Sequence, residues 1–332
     1  MASNKTAPDT ASFNMVNLDV AVACLFFLLF PVAFLLNGVA TWVSLHLPCT
    51  STFIVYLKNL VAADLLMTLM IPPMAASRLP GATVWLQTFD CRFASVIFYC
   101  SLYTSITLMG LISLDRFFKI VRPRGKVLGQ SVTFSVVTST TVWIVLFGST
   151  AIPTIILTDQ SPENVTSAFC ISLKSRAGVT VHSFVVLFME VLFWLVAGLT
   201  MFCYICITLR VLQSYRNSGS NNNEGKKKTK LRVFLILFVF LVCFVPLHIM
   251  RIPFTLYEVF HRIDDIQPWM IIGQNLCLWL SSTNACLDPL LYIYLCREFR
   301  EKLLDMKKAG AICLGLYSSE KEENEATVLD TK

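Results

Sequence analysis

Ser113-Leu114-Asp115-Arg116-Phe117-Phe118-Lys119-Ile120-Val121 ends the third of seven long apolar stretches in this chain. Asn284-Ala285-Cys286-Leu287-Asp288-Pro289-Leu290-Leu291-Tyr292 lies inside the seventh. A membrane span needs about 20 apolar residues. The runs near 18–45, 53–77, 90–122, 132–156, 180–212, 231–258 and 268–296 all reach that length. The connections between them are short, so no second domain fits. The expected fold is an all-α membrane protein: a seven-helix bundle over 18–296, with residues 1–17 outside the cell.

Composition agrees. The chain has 332 residues, of which 55% are hydrophobic and 14% charged, and its mean hydropathy is +0.66. Soluble domains carry about 25% charged residues, so lipid must serve as part of the solvent here. The first 17 residues lack a basic segment followed by a short apolar core, so the first span is expected to act as a signal anchor.

Net charge is +6, and its placement says more than its sum. Most Lys and Arg fall at Lys58, in 116–126, in 210–232 and from Arg297 onward. These are alternate connections plus the C-terminus, so the positive-inside rule puts them in the cytosol and the N-terminus outside. The run Lys226-Lys227-Lys228-Thr229-Lys230 is then a topological anchor, with no nucleic acid as partner. Asn4-Lys5-Thr6 and Asn164-Val165-Thr166 are glycosylation sequons, and both fall on the predicted outer side.

Segment 297–308 places apolar residues among charges at helical spacing. It is too short and too charged to span, so it is expected to lie along the inner membrane surface as an eighth helix. Residues 309–332 form the cytoplasmic tail. Cys313 is a palmitoylation candidate or a free thiol. The Asn217–Gly225 loop, without a large apolar residue, is expected to be flexible. Of 12 cysteines, most sit within spans as small buried hydrophobes. Cys91 and Cys170 fall at the outer edges, in an oxidising compartment, and are expected to pair.

Polar groups inside spans are costly, and each is a functional candidate. Asp64, Ser105, Asn284 and Asp288, together with Asn37, would form either a hydrogen-bonded packing node or a cavity holding sodium and water at Asp64. No other metal and no cofactor is expected. Prolines 31, 153, 246, 253 and 289 each remove a backbone hydrogen bond and can kink a span.

Asn37-Gly38, Asn59-Leu60-Val61-Ala62-Ala63-Asp64, Asp115-Arg116-Phe117, Trp143, Cys243-Phe244-Val245-Pro246 and Asp288-Pro289-Leu290-Leu291-Tyr292 resemble, in order and spacing, the rhodopsin-type G-protein-coupled receptors. Phe53-Ile54-Val55-Tyr56-Leu57-Lys58-Asn59, Pro153-Thr154-Ile155-Ile156-Leu157-Thr158 and Phe244-Val245-Pro246-Leu247-His248-Ile249-Met250-Arg251-Ile252-Pro253 are similar to the metabotropic purinoceptors, in the branch with the ADP and UDP-sugar receptors. The resemblance implies a multi-pass plasma-membrane receptor for a small extracellular anionic ligand, signalling through an inhibitory heterotrimeric G protein. Arrestin and receptor kinases are further partners of such receptors. It implies that Asp115 holds Arg116 at rest, that Phe244, beneath the ligand and two residues before Pro246, is an aromatic toggle, and that Tyr204, Tyr292 and the Asp288-Pro289 pair rearrange on activation. It also implies that Cys91–Cys170 ties a loop to span three.

The same resemblance places ligand contacts at Arg251, His248, Tyr99, His182, Lys174 and Gln274. His248 and Arg251 are one helical turn apart and share a face, and Arg251 offers a planar fork suited to phosphate or carboxylate. The chain departs from the branch at Gln274-Asn275, where a Lys-Glu pair is common, at Gln87 and at Val186. Losing a charge-assisted bond costs about 1.5–3 kcal/mol. An anionic lipid mediator such as a lysophospholipid is therefore the alternative ligand, and ligand-independent activity a further one. Enzyme motifs such as His-Glu-x-x-His and Gly-x-Ser-x-Gly are absent, as are the internal repeats of transporters.

Overall fold

The computed structural model describes residues 7–122, 131–160, 169–217, 223–260 and 268–313. Asn4 and Asn164, and the side chain of Cys313, lie outside what is described. The order is α1 (Ala7–Leu45), α2 (Thr52–Ser77), α3 (Val84–Val121), α4 (Val132–Ile156), α5 (Arg176–Asn217), α6 (Asn223–Phe260), α7 (268–295) and α8 (Arg297–Cys313). Among the described residues, six helices are long and apolar enough to cross a membrane. The seventh, α7, is divided at Thr283 into segments of 15 and 12 residues.

Local chemistry explains several boundaries. Ser51 caps α2 by accepting from the Ile54 amide at 3.3 Å, and Ser131 caps α4 through the Phe134 amide at 3.1 Å. Such hydroxyls satisfy amides that have no partner in the first turn. The helices also run past the expected limits. Ala7 already begins α1, α6 starts at Asn223 inside the loop expected to be flexible, and α8 continues to Cys313 beyond the expected end at 308. Extending a helix that has already nucleated adds one hydrogen bond per residue fixed, so polar composition does not stop it.

Apolar side chains cover the outside of the bundle as well as filling its interior. Leu28, Leu35, Ile144 and Leu195 are each more than 60% exposed, which only a lipid environment makes favourable. Inside, Phe26, Phe98, Tyr103, Phe193, Phe240 and Phe244 form one core. Tyr56, Leu57, Leu60, Leu108, Tyr292 and Phe299 form a second. Phe299 is 1% exposed and meets Tyr292 at 6.0 Å between ring centroids. That insertion fixes α8 against the bundle.

Buried polar side chains join the helices. Pro289 cannot donate a backbone hydrogen bond, which frees the carbonyl four residues earlier. That carbonyl, Ala285 O, accepts instead from Asn37 Nδ2 on α1 at 2.7 Å. Trp143 Nε1 donates to Asn59 Oδ1 at 3.0 Å, linking α4 to α2. In α4 a wide turn over Phe147–Ala151 precedes Pro153, and the hydroxyls of Ser149 and Thr150 donate back to the carbonyls of Val145 and Leu146.

Gly110 lets α3 approach α5. A Cβ at this position would come within 2.7 Å of Val196 Cγ1, on a branched and buried side chain. Small residues at such crossings let helix backbones close together. Gly110→Ala is therefore expected to cost about 1–3 kcal/mol through overpacking. A lowered melting temperature of the purified protein checks this, and an unchanged one shows that Val196 yields.

Candidate ligand cavity

At the end of the bundle that carries the disulfide, a cavity of about 270 Å³ opens between α3, α4, α5, α6, α7 and the end of α2. Cys91 and Cys170 are joined, as expected, and the bridge closes a sequence separation of 79 residues. Both cysteines line the cavity, so the bridge holds the loop bearing Lys174 over α3.

Five of the six expected contacts line this cavity: Arg251, Tyr99, His182, Lys174 and Gln274. Arg251 is 7% exposed, and its guanidinium lies 4.1 Å from the centroid of the Tyr99 ring. An arginine over an aromatic face is attracted by the ring quadrupole, which orients its planar fork. Lys174 Nζ donates to the Cys170 carbonyl at 3.2 Å.

The sixth, His248, does not line the cavity. It is fully buried, its ring stacked on Phe193 at 3.5 Å, and its Nδ1 lies 2.7 Å from the Phe244 carbonyl. Because a carbonyl only accepts, Nδ1 carries the proton. Three residues of helix separate His248 from Arg251 by about 4.5 Å along the axis. They share a face, but at different depths.

Arg78, at the end of α2, is the lining residue missing from the expected set. Its Nη1 donates to Asn275 Oδ1 at 2.8 Å, so Asn275 of α7 positions a cation supplied from the end of α2. The signal was available in the sequence, since Arg78 is a charge on the side where positive residues are scarce. With Arg78, Lys174 and Arg251, the lining holds three cations and no carboxylate among the described residues.

Deeper in the bundle, Asp64 and Asp288 lie close enough to interact and both are buried. Tyr292 donates to Asp64 Oδ2 and Asn284 Nδ2 to Asp288 Oδ2, each at 2.7 Å. Ser105 lies beside Asp64, and Asp64 Oδ1, Ser105 Oγ and Asn284 Oδ1 make no well-aligned hydrogen bond among the described residues. Carboxylate, hydroxyl and amide oxygens are the donor set of a hard cation or of bridging water, so these residues fit such an occupant.

A second cavity, of about 60 Å³, lies below this cluster, lined by Arg116, Tyr204, Phe240, Asp288 and Tyr292 among others. Here one expectation is corrected. Asp115 does not hold Arg116: its carboxylate accepts from Thr52 Oγ1 at 2.6 Å and from Lys119 Nζ at 2.7 Å. The Arg116 guanidinium lies 4.6 Å from the Phe53 ring centroid. Adjacent helical residues point in different directions, whereas residues four apart align. Asp115 therefore meets Lys119 and not its neighbour.

Comparison with known proteins agrees with this architecture. Residues 37–292 match the model of the family described as 7 transmembrane receptor (rhodopsin family). The chain is 40% identical over 287 residues to purinoceptor 13 of Homo sapiens, covering 86% of this chain and 81% of that protein. It is 37% identical over 284 residues to purinoceptor 14 of Bos taurus, covering 85% and 84%. It is 36% identical over 286 residues to G-protein coupled receptor 87 of Mus musculus, covering 86% and 79%. These relatives are receptors, not enzymes. Matched along most of its length, and with the buried polar cluster and bridged cavity in place, the chain belongs to the rhodopsin family of seven-transmembrane receptors, within its purinoceptor group.

Proposed function

We propose that this receptor sits in the plasma membrane with its N-terminus outside and its C-terminus in the cytosol. It binds an extracellular nucleotide or nucleotide-sugar and signals through an inhibitory heterotrimeric G protein. The observation that carries the ligand class is the cavity lining, with three cations and no carboxylate among the described residues. A phosphate is matched by an arginine fork in two parallel bonds. Arg251 from α6, Arg78 from α2 and Lys174 from the bridged loop approach from three directions, suiting a ligand with more than one anionic oxygen.

In this reading Tyr99, His182 and Gln274 contact the ligand, and His248 supports Arg251 from beneath. Ligand binding draws α6 inward at its outer end and favours an outward swing of its inner end. Phe244 and Pro246 form the pivot. Asp64, Ser105, Asn284 and Asp288 hold sodium or water at rest, and Tyr292, Pro289 and Tyr204 rearrange as Arg116 is presented to the G protein. Phosphorylation of the tail by receptor kinases, arrestin binding, lipid contact along α8, palmitoylation at Cys313 and glycosylation at Asn4 and Asn164 belong to the same proposal.

The test is an agonist panel on cells expressing the chain, with inhibition of cyclic AMP as the readout. ADP, UDP, UDP-sugars and lysophospholipids form the panel. A saturable response to a nucleotide or nucleotide-sugar is expected. A response to a lipid alone would overturn the ligand class while leaving the fold intact.

A further inference from the structure

Glu190 in α5 plays no part in the reading above, yet it is 5% exposed and, apart from the Trp194 side chain one turn along α5, neither carboxyl oxygen meets a hydrogen-bond partner among the described residues. Burying a carboxyl with so few donors is costly. Its place follows from helix register. Val186, one turn nearer the disulfide end, lines the cavity, and Phe193, one turn deeper, stacks on His248 at 3.5 Å. Helices α5 and α6 run in opposite directions. One turn above that stack, α5 presents Glu190 and α6 presents Arg251. Arg251 lines the cavity and Glu190 does not. The two charges act on one another, and both act on Tyr103.

We infer that Glu190 is the internal counter-charge of Arg251 and limits how much negative charge the cavity accepts. The inference rests on the reading of the cavity as an anion site. An anion entering beside Arg251 is attracted by the guanidinium and repelled by the carboxylate behind it. In a low-dielectric interior the repulsion reaches further than in water, and it grows with each charge on the ligand. Glu190 therefore selects by total charge. It disfavours a free nucleoside diphosphate relative to a nucleotide-sugar, whose terminal phosphate is esterified and carries less charge.

Two measurements on the purified full-length receptor in lipid nanodiscs test this, using wild type, Glu190→Gln, Arg251→Gln and the double variant. The first is the melting midpoint without ligand. Arg251→Gln leaves Glu190 without its counter-charge and is expected to melt several degrees below wild type, with Glu190→Gln recovering most of the loss. Additive shifts would overturn the pairing, whatever ligand the receptor takes.

The second is thermal stabilisation by UDP and by UDP-glucose. Glu190→Gln is expected to tighten UDP by on the order of tenfold and to tighten UDP-glucose less. Unchanged or weaker binding of UDP to Glu190→Gln would refute the selective role. Weaker binding would instead mark Glu190 as an acceptor for the ligand. If no version responds to either nucleotide, the anionic-ligand reading fails and the selective role with it, while the melting cycle alone decides the pairing.

Discussion

Arg251→Ala is expected to lower the potency of an anionic agonist by roughly ten- to a hundredfold, the equivalent of one charge-assisted hydrogen bond. The guanidinium is held over Tyr99 and buried to 7% exposure at the cavity wall, so its orientation is set before the ligand arrives. Lys at this position should restore only part of the affinity, because an ammonium presents a point charge where arginine presents a planar fork. Maximal response at saturating agonist should survive the Ala variant, since the other two lining cations remain. The measurement is a cyclic AMP dose-response curve, with cell-surface expression matched between variants. Identical curves for wild type and Arg251→Ala would rule out Arg251 as the anchor.

Arg116→Ala is expected to abolish ligand-stimulated nucleotide exchange on the G protein while leaving ligand binding largely intact. Arg116 borders the 60 Å³ cavity at the end of the bundle opposite the disulfide, alongside Tyr204 and Tyr292. It is separated from the ligand cavity by the aromatic core of Phe193, Phe240 and Phe244. Its guanidinium lies over the Phe53 ring, a contact worth about 0.5–2 kcal/mol, so little holds it back. Exchange measured on membranes from expressing cells, beside ligand binding to the same membranes, separates the two roles. Surviving exchange would show that another group engages the G protein.

Much of this protein was legible as one-dimensional pattern. Seven apolar runs and the segregation of positive charge required a helical membrane protein, and the motifs around Asp115-Arg116 and Asp288-Pro289 carried the resemblance to receptors. Desolvating a backbone in lipid leaves helix as the form each run can take. Cys91–Cys170 followed from which cysteines lie at outer edges. The match to the rhodopsin family and its purinoceptor group supports the resemblance carried by those motifs. Arg251, Tyr99, His182, Lys174 and Gln274 could be named because the resemblance places them, and the fold brings all five to one cavity.

What the sequence determined by itself was which segments are apolar enough to cross the bilayer, and hence that this is a multi-span membrane protein. That depends on each residue's own affinity for lipid or water. Depth, register and pairing were decided only by tertiary structure, because they depend on which helix stands opposite. Register sets His248 beneath the cavity on Phe193 and brings Glu190 level with Arg251. Packing gives Asp115 to Thr52 of α2 and leaves Arg116 to Phe53. A hydrogen bond from α2 to α7 makes Arg78 part of the site. Each is a contact between side chains far apart in the chain or on different faces of one helix, and residue-by-residue hydrophobicity carries no information about which partner is near.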